Sequence, residues 1–170
     1  MTVTIQLKGA DELRKYIATL GDKVQQEVGK EVMAVALELR TDVIKSIRKP
    51  GRGTMYYRIY DPESGYTKIY AGDSEGFVVA LKGKQNLSQT HRASADGDPP
   101  ASDTGRLANS IFFDKEGPLT ATVGSHLAYA VHLEYGTIKM AARPFFRPAV
   151  ERIRGEFEAR LEAAVKRATQ

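Results

Sequence analysis

The 170-residue chain predicts an α+β fold, on three observations. A long apolar stripe at helical spacing runs from Leu13 to Ile47, short β-prone runs rich in tyrosine and phenylalanine follow it, and a second amphipathic helix closes the chain. The expected architecture is a long N-terminal helix, a small mostly antiparallel sheet with an inserted β-hairpin, a short middle helix and a C-terminal helix, in a single domain over 1–170.

The elements follow in order. Val3, Ile5 and Leu7 alternate with polar residues, a strand pattern. Leu13, Ile17, Leu20, Val24, Val28, Val32, Val35, Leu39, Val43 and Ile47 then recur at spacings of three or four, the mark of one buried helix face. Gly21-Asp22 is a natural break. Lys49-Pro50-Gly51 is a stop. An unbroken helix over 11–49 would run roughly 58 Å at 1.5 Å per residue. That length points to packing of part of the stripe on a neighbouring subunit. Met55–Tyr60, Thr67–Tyr70 and Phe77–Leu81 read as strands of a hairpin or meander, with turn chemistry at Asp61-Pro62-Glu63-Ser64-Gly65. Residues 83–102 are polar and read as one long loop.

Ser102 or Asp103 is placed to cap a short helix reaching Ile111. Phe112-Phe113 and Thr120–Val123 are strands joined by a turn over 115–118. Leu127–Tyr135 fits either a strand or a short helix ended by Gly136. The final helix opens near Pro148 and buries Val150, Ile153, Phe157, Leu161 and Val165, with Glu156–Arg160 and Glu162–Lys166 spaced as i,i+4 pairs.

Composition narrows the function classes. There is no cysteine, which excludes disulfides, thiolate metal sites and a thiol nucleophile. No apolar run approaches the ~18 residues of a membrane span, and no basic-then-apolar leader pattern opens the chain, so a reducing compartment is expected. The net charge of +4 is spread along the sequence, and residues 1–49 carry nine Lys/Arg against seven Asp/Glu. That tolerates nucleic acid without marking a binding element for it. His91, His126 and His132 lack metal-ligand spacing, and no nucleotide-binding glycine loop is present. No cofactor is expected. Asp103-Thr104-Gly105 matches the aspartic-protease triplet, but it follows Pro-Pro-Ala-Ser rather than an apolar strand, so a helix start is the better reading. The Tyr/Arg/Lys mixture of residues 52–70 could stack single-stranded nucleic acid, although a half-buried hairpin explains it more simply.

One ordered set of motifs says more. It runs from His91-Arg92-Ala93-Ser94-Ala95 through Gly97–Leu107 and Asn109-Ser110-Ile111. It continues with Tyr129-Ala130 and Leu133-Glu134-Tyr135-Gly136-Thr137, and closes with Met140–Ala149, containing Arg143-Pro144-Phe145-Phe146-Arg147. This order resembles the tail-completion (neck, or head–tail joining) morphogenesis proteins of long-tailed double-stranded DNA bacteriophages. Many members pass quickly from the first helix to the Thr-Gly-x-Leu element, so residues 51–90 stand out as an inserted aromatic β region.

The resemblance implies a non-enzymatic virion protein, a tail or neck part made in the host cytoplasm. It would form a ring, usually sixfold, around the channel that DNA traverses without sequence recognition. Partners would be further copies of itself, head connector, adaptor or stopper proteins, and tail terminator or tail-tube proteins, with no membrane. A tail terminator or another neck component is the alternative, and a nucleic-acid-binding protein using the Tyr/Arg hairpin is the alternative of another class. Contacts with subunits or partners are expected at Tyr56, Tyr57, Tyr60, Tyr70, Arg106, Glu134, Tyr135, Arg143, Phe145 and Phe146, with core packing as the competing role for at least one phenylalanine. Glu134 is read as an acceptor for backbone N–H groups or for an arginine. A bidentate pair with Arg143, within or between subunits, is the specific expectation.

Overall fold

The apolar stripe from Val24 to Ile47 becomes one face of helix α1 (Asp22–Arg48), 27 residues and about 40 Å long. A computed structural model describes residues 3–5, 21–61, 66–72 and 87–169. Helix α1 starts just after Gly21, as the Gly-Asp break suggests, and Gly21 itself is extended. Leu13, Ile17 and Leu20 lie outside the described residues.

Helix α4 (Arg147–Thr169) lies along α1. Toward the start of α1, Val24, Val28 and Val32 pack on Leu161 and Ala164 of α4. Toward its end, Val35, Leu39, Val43 and Ile47 join Phe145, Phe146, Ala149 and Ile153 in the larger core cluster. Phe157 touches both clusters. The stripe from Val24 onward is therefore covered by its own chain, and the expectation of a neighbouring subunit on this stretch is corrected. Arg160 was expected to pair with Glu156 on its own helix. It crosses instead to Glu31 (3.2 Å) and Glu38 (2.6 Å) of α1, and Arg167 also reaches Glu31 (2.8 Å). The two helices lie side by side, so an α1 carboxylate is as close as one a turn away. Such exposed pairs contribute about 0–1 kcal/mol each, so the buried face holds the helix pair together.

Two small antiparallel sheets complete the α+β fold. In the first, β1 (Val3–Ile5) and β5 (Ile111–Gly117) flank β6 (Thr120–Ser125). The β5–β6 turn falls at Pro118-Leu119, later than the sequence suggests, because β5 continues to Gly117. The turn also explains a glycine inside the helical stripe. A Cβ on Gly29 would stand 2.6 Å from the Pro118 carbonyl oxygen, so the close approach of turn to helix requires glycine there.

In the second sheet, β3 (Tyr66–Ala71) and β4 (Leu87–Arg92) flank β2 (Met55–Asp61). Strand β4 corrects the reading of 83–102 as one loop. Its sequence, Leu-Ser-Gln-Thr-His-Arg, has no apolar alternation, and it is recruited through the backbone ladder with β2, for example Tyr57 opposite Thr90. The expected strand Phe77–Leu81 and the turn residues 62–65 lie outside the described residues. Between the sheets sits α2 (Arg106–Asn109), shorter than expected because Ile111 already belongs to β5. Its N-cap is Gly105 with no side-chain cap, so neither Ser102 nor Asp103 caps it. Leu127–Tyr135 resolves as a helix, α3 (Tyr129–Tyr135). Among the described residues no helix is long and apolar enough to cross a membrane.

Two glycine-to-alanine changes should move stability in opposite directions. Gly29→Ala gains about 1 kcal/mol of helix propensity but forces the turn away from α1 at about 1–3 kcal/mol, so its Tm should fall. A Cβ at Gly155, exposed on α4, meets nothing within 4 Å, and Gly155→Ala should raise the Tm, by roughly 2–4 °C per kcal/mol for a chain of this size. Thermal melts of both variants check the pair.

Candidate functional site

The end of the motif block folds around one buried carboxylate. Glu134, on the last turn of α3, is 2% exposed. Its Oε2 accepts the backbone N–H groups of Phe145 and Phe146, and its Oε1 accepts that of Arg147, all at 2.9 Å. The Arg147 N–H belongs to the first turn of α4 and the other two stand just before it, at a helix start where N–H groups have no partner of their own and the dipole favours a negative charge. Glu134 thus caps α4 from eleven to thirteen residues upstream. The cap turns both phenylalanine rings inward, and both are buried.

The chain between α3 and α4 is equally determined. Gly136 has φ +76°, and a Cβ there would lie 2.8 Å from the Met140 carbonyl oxygen. A tight turn follows, with Thr137 N–H donating to Met140 O (2.8 Å) and Met140 N–H returning to Thr137 O (3.3 Å). Ile138 stands at its tip, 106% exposed. Beyond the turn, Arg143 N–H donates to Leu133 O (2.7 Å), and Gly97 N–H donates to Ala142 O (3.2 Å). The Arg147 guanidinium lies 5.6 Å over the Tyr135 ring, a cation–π contact.

The expected Glu134–Arg143 pair does not form. Both oxygens of Glu134 serve backbone donors, while Arg143 Nη1 donates to the buried Ser94 hydroxyl at 2.7 Å. Of the two roles open to Glu134, the backbone acceptor is the one realised.

Arg143 lines a cleft of about 200 Å³ floored by Ile47, Leu107 and Leu133, with His91, Asp103, Arg106 and Tyr129 around it. The cleft lies where the second sheet meets the motif-bearing segments, and ion pairs fasten the seam. Arg58 of β2 grips Asp103 with both terminal nitrogens, Nη1 to Oδ1 at 2.8 Å and Nη2 to Oδ2. Arg52 does the same to Asp98 through Nε (2.9 Å) and Nη2. The backbone joins in, through Gly53 N–H to Ala93 O and Ala93 N–H to Thr54 O. The Arg58 hydrogen bonds hold the Asp103 carboxyl below its usual range against the cost of burial, and His91, with Nδ1 at 3.9 Å, favours the same ionised form. A carboxylate pinned in this way is poorly suited to the proton sharing of an aspartic-protease dyad.

The ten expected contact residues separate by burial. Glu134, Phe145, Phe146 and Tyr57 are buried within the chain. Within the chain a cap and a core occupy them. Tyr56 is half-buried, Arg143 faces the cleft, and Arg106 and Tyr135 are exposed. The side chains of Tyr60 and Tyr70 lie outside the described residues. With Tyr57 buried and Arg58 engaged by Asp103, this pair offers no stacking platform for bases. Sequence reading missed Ile138 and Ser94. An isolated isoleucine between threonine and lysine, just after a glycine and outside any periodic pattern, was the available signal for the first. Ser94 stands in the His91–Ala95 motif, but nothing local marked it as the partner of Arg143. Among the described residues no three His, Asp or Glu side chains gather as metal ligands. No protein-family model, curated protein or solved structure matches the chain.

Glu134→Gln places an NH2 group against backbone N–H donors that then lose a charged acceptor. It should destabilise the fold by about 2–4 kcal/mol, measured by urea unfolding. Asp103 gives a pH signature. Its carboxyl is depressed when folded, so the pair with Arg58 contributes fully above the ordinary value of 3.8 and is lost as pH falls through the lower folded value. The stability difference between the wild type and Asp103→Asn should be flat near neutrality and shrink below pH 4, as followed by urea melts across pH.

Proposed function

We propose that this chain is a non-enzymatic structural protein of a long-tailed double-stranded DNA phage. It completes the tail or neck by forming a ring at the head–tail junction around the DNA channel. Its partners on this reading are its own copies, a head connector, adaptor or stopper protein, and a tail terminator or tail-tube protein. It resides in the virion after assembly in the host cytoplasm.

The motif order carries the proposal, and one structural observation supports it. Of the four large hydrophobic residues that stand exposed among the described residues, Tyr129, Tyr135 and Ile138 lie within the motif block and Leu37 lies on α1. Ile138 sits on a turn braced by two backbone hydrogen bonds and by Gly136, so little ordering entropy would be lost on docking. An apolar tip set apart from the core suits a heterologous contact, in which one surface of a copy meets a different surface of the next and the rotation closes a ring. The buried cap at Glu134 gives the tip a fixed base.

Light scattering after size exclusion tests the reading. A closed species near about six times the 18.7 kDa chain mass is expected. Ile138→Asp should reduce it to monomer with the far-UV circular dichroism of the folded chain retained, because the side chain contributes nothing to the core. A wild-type chain that stays monomeric, both alone and mixed with connector and tail-tube proteins, overturns the proposal.

A further inference from the structure

We propose that the cleft beside Arg143 is a receptor for an acidic side chain on a partner protein segment that carries an apolar residue next to it. The inference rests on the accounting of charge and hydrogen bonds inside the cleft and does not depend on ring formation.

The acid already present is not available to a ligand, because Asp103 gives both oxygens to Arg58. The cations are available. A guanidinium carries five N–H donors, yet the hydrogen bond recorded for the Arg143 side chain is Nη1 to Ser94 Oγ. Its Nε is sealed from solvent and has no hydrogen-bond partner. The nearest carboxylate, that of Asp96, stands 3.9 Å from Nη2 and is 81% exposed, too distant for a hydrogen bond. Arg106 faces the same cleft from α2, exposed and without an ion pair among the described residues. The facing polar groups from the other walls, His91 and the Tyr129 hydroxyl, add no negative charge. The cleft therefore presents two arginines, Arg106 without an ion pair among the described residues and Arg143 with only the exposed Asp96 at 3.9 Å, over an apolar floor of Ile47, Leu107 and Leu133.

That combination selects the ligand. A carboxylate drawn in beside Arg143 takes the N–H groups of Nη2, the terminal nitrogen that carries no hydrogen bond, in place of the distant Asp96. A neighbouring apolar side chain covers the floor. About 200 Å³ accommodates one or two side chains. A nucleic-acid backbone would instead call for a row of cations along an open groove. Arg143 is pre-set for capture, since its N–H is bonded to Leu133 O and Pro144 restricts its backbone to extended forms.

Saturation-transfer NMR on the full chain, with acetyl-Glu-Leu-amide and acetyl-Gln-Leu-amide as probes, tests this at any assembly size. The glutamate peptide should show saturation at its leucine methyls and half-saturate at a concentration about tenfold lower than the glutamine peptide. Arg143→Lys, which keeps the charge but loses the planar fork, should narrow that difference. Should Arg143→Lys fail to fold, Arg106→Gln, which alters an exposed residue, should weaken the glutamate peptide by about threefold with an unchanged Tm. Oligothymidylate should fail to displace the peptide. Equal binding of the two peptides, binding of neither, or displacement by oligothymidylate at lower concentration than the peptide itself each overturns the proposal.

Discussion

Three backbone N–H groups aimed at one buried carboxylate set the geometry of the second half of this protein. Glu134 could not be buried as an ion without them, since an isolated carboxylate in a low-dielectric interior is costly. Without it, the first turn of α4 would carry unpaired donors against the core. Meeting both needs together fixes where α4 starts and brings α3 against it. Phe145 and Phe146 then have nowhere to go but the core under α1. The tight turn carrying Ile138 and the direction of Arg143 follow, because both lie on the short path between the cap and its target.

The first half of the chain is organised by surface burial. Helix α1 offers one long apolar face, and α4 with the first sheet covers it. The second sheet attaches differently. Its seam with the motif-bearing segments runs through Arg58–Asp103, Arg52–Asp98 and a few backbone bonds. A polar seam over a small apolar floor leaves a cleft, where a fully apolar seam would have closed. The second sheet thus helps to build the recess in which Arg143 sits.

The residues that look most functional by type are largely structural. Paired phenylalanines, a tyrosine in an aromatic run, the glutamate of the Leu-Glu-Tyr-Gly motif and the aspartate of the Asp-Thr-Gly triplet are taken up by core, cap and seam. What remains facing outward is modest: an isoleucine at a turn tip, two tyrosines nearby and two arginines with donors to offer.

The sequence by itself determined the fold class, the stop after Arg48, the hairpin strands, the helix that buries Ile153, Phe157 and Leu161, and the end of α3 at Gly136. These follow from period, turn chemistry and backbone sterics, which act over a few residues. Tertiary structure alone decided the rest. Strand β4 has no apolar alternation, and only an available edge on β2 makes it a strand. Arg143 and Glu134, both conspicuous in the sequence, are separated because a helix N-terminus offers Glu134 three donors at fixed geometry, while Ser94, distant in sequence, meets Arg143. Arg160 could have paired within its helix, and a neighbouring helix supplied two carboxylates. In each case local chemistry left several partners of similar energy, and the packing of distant elements chose among them.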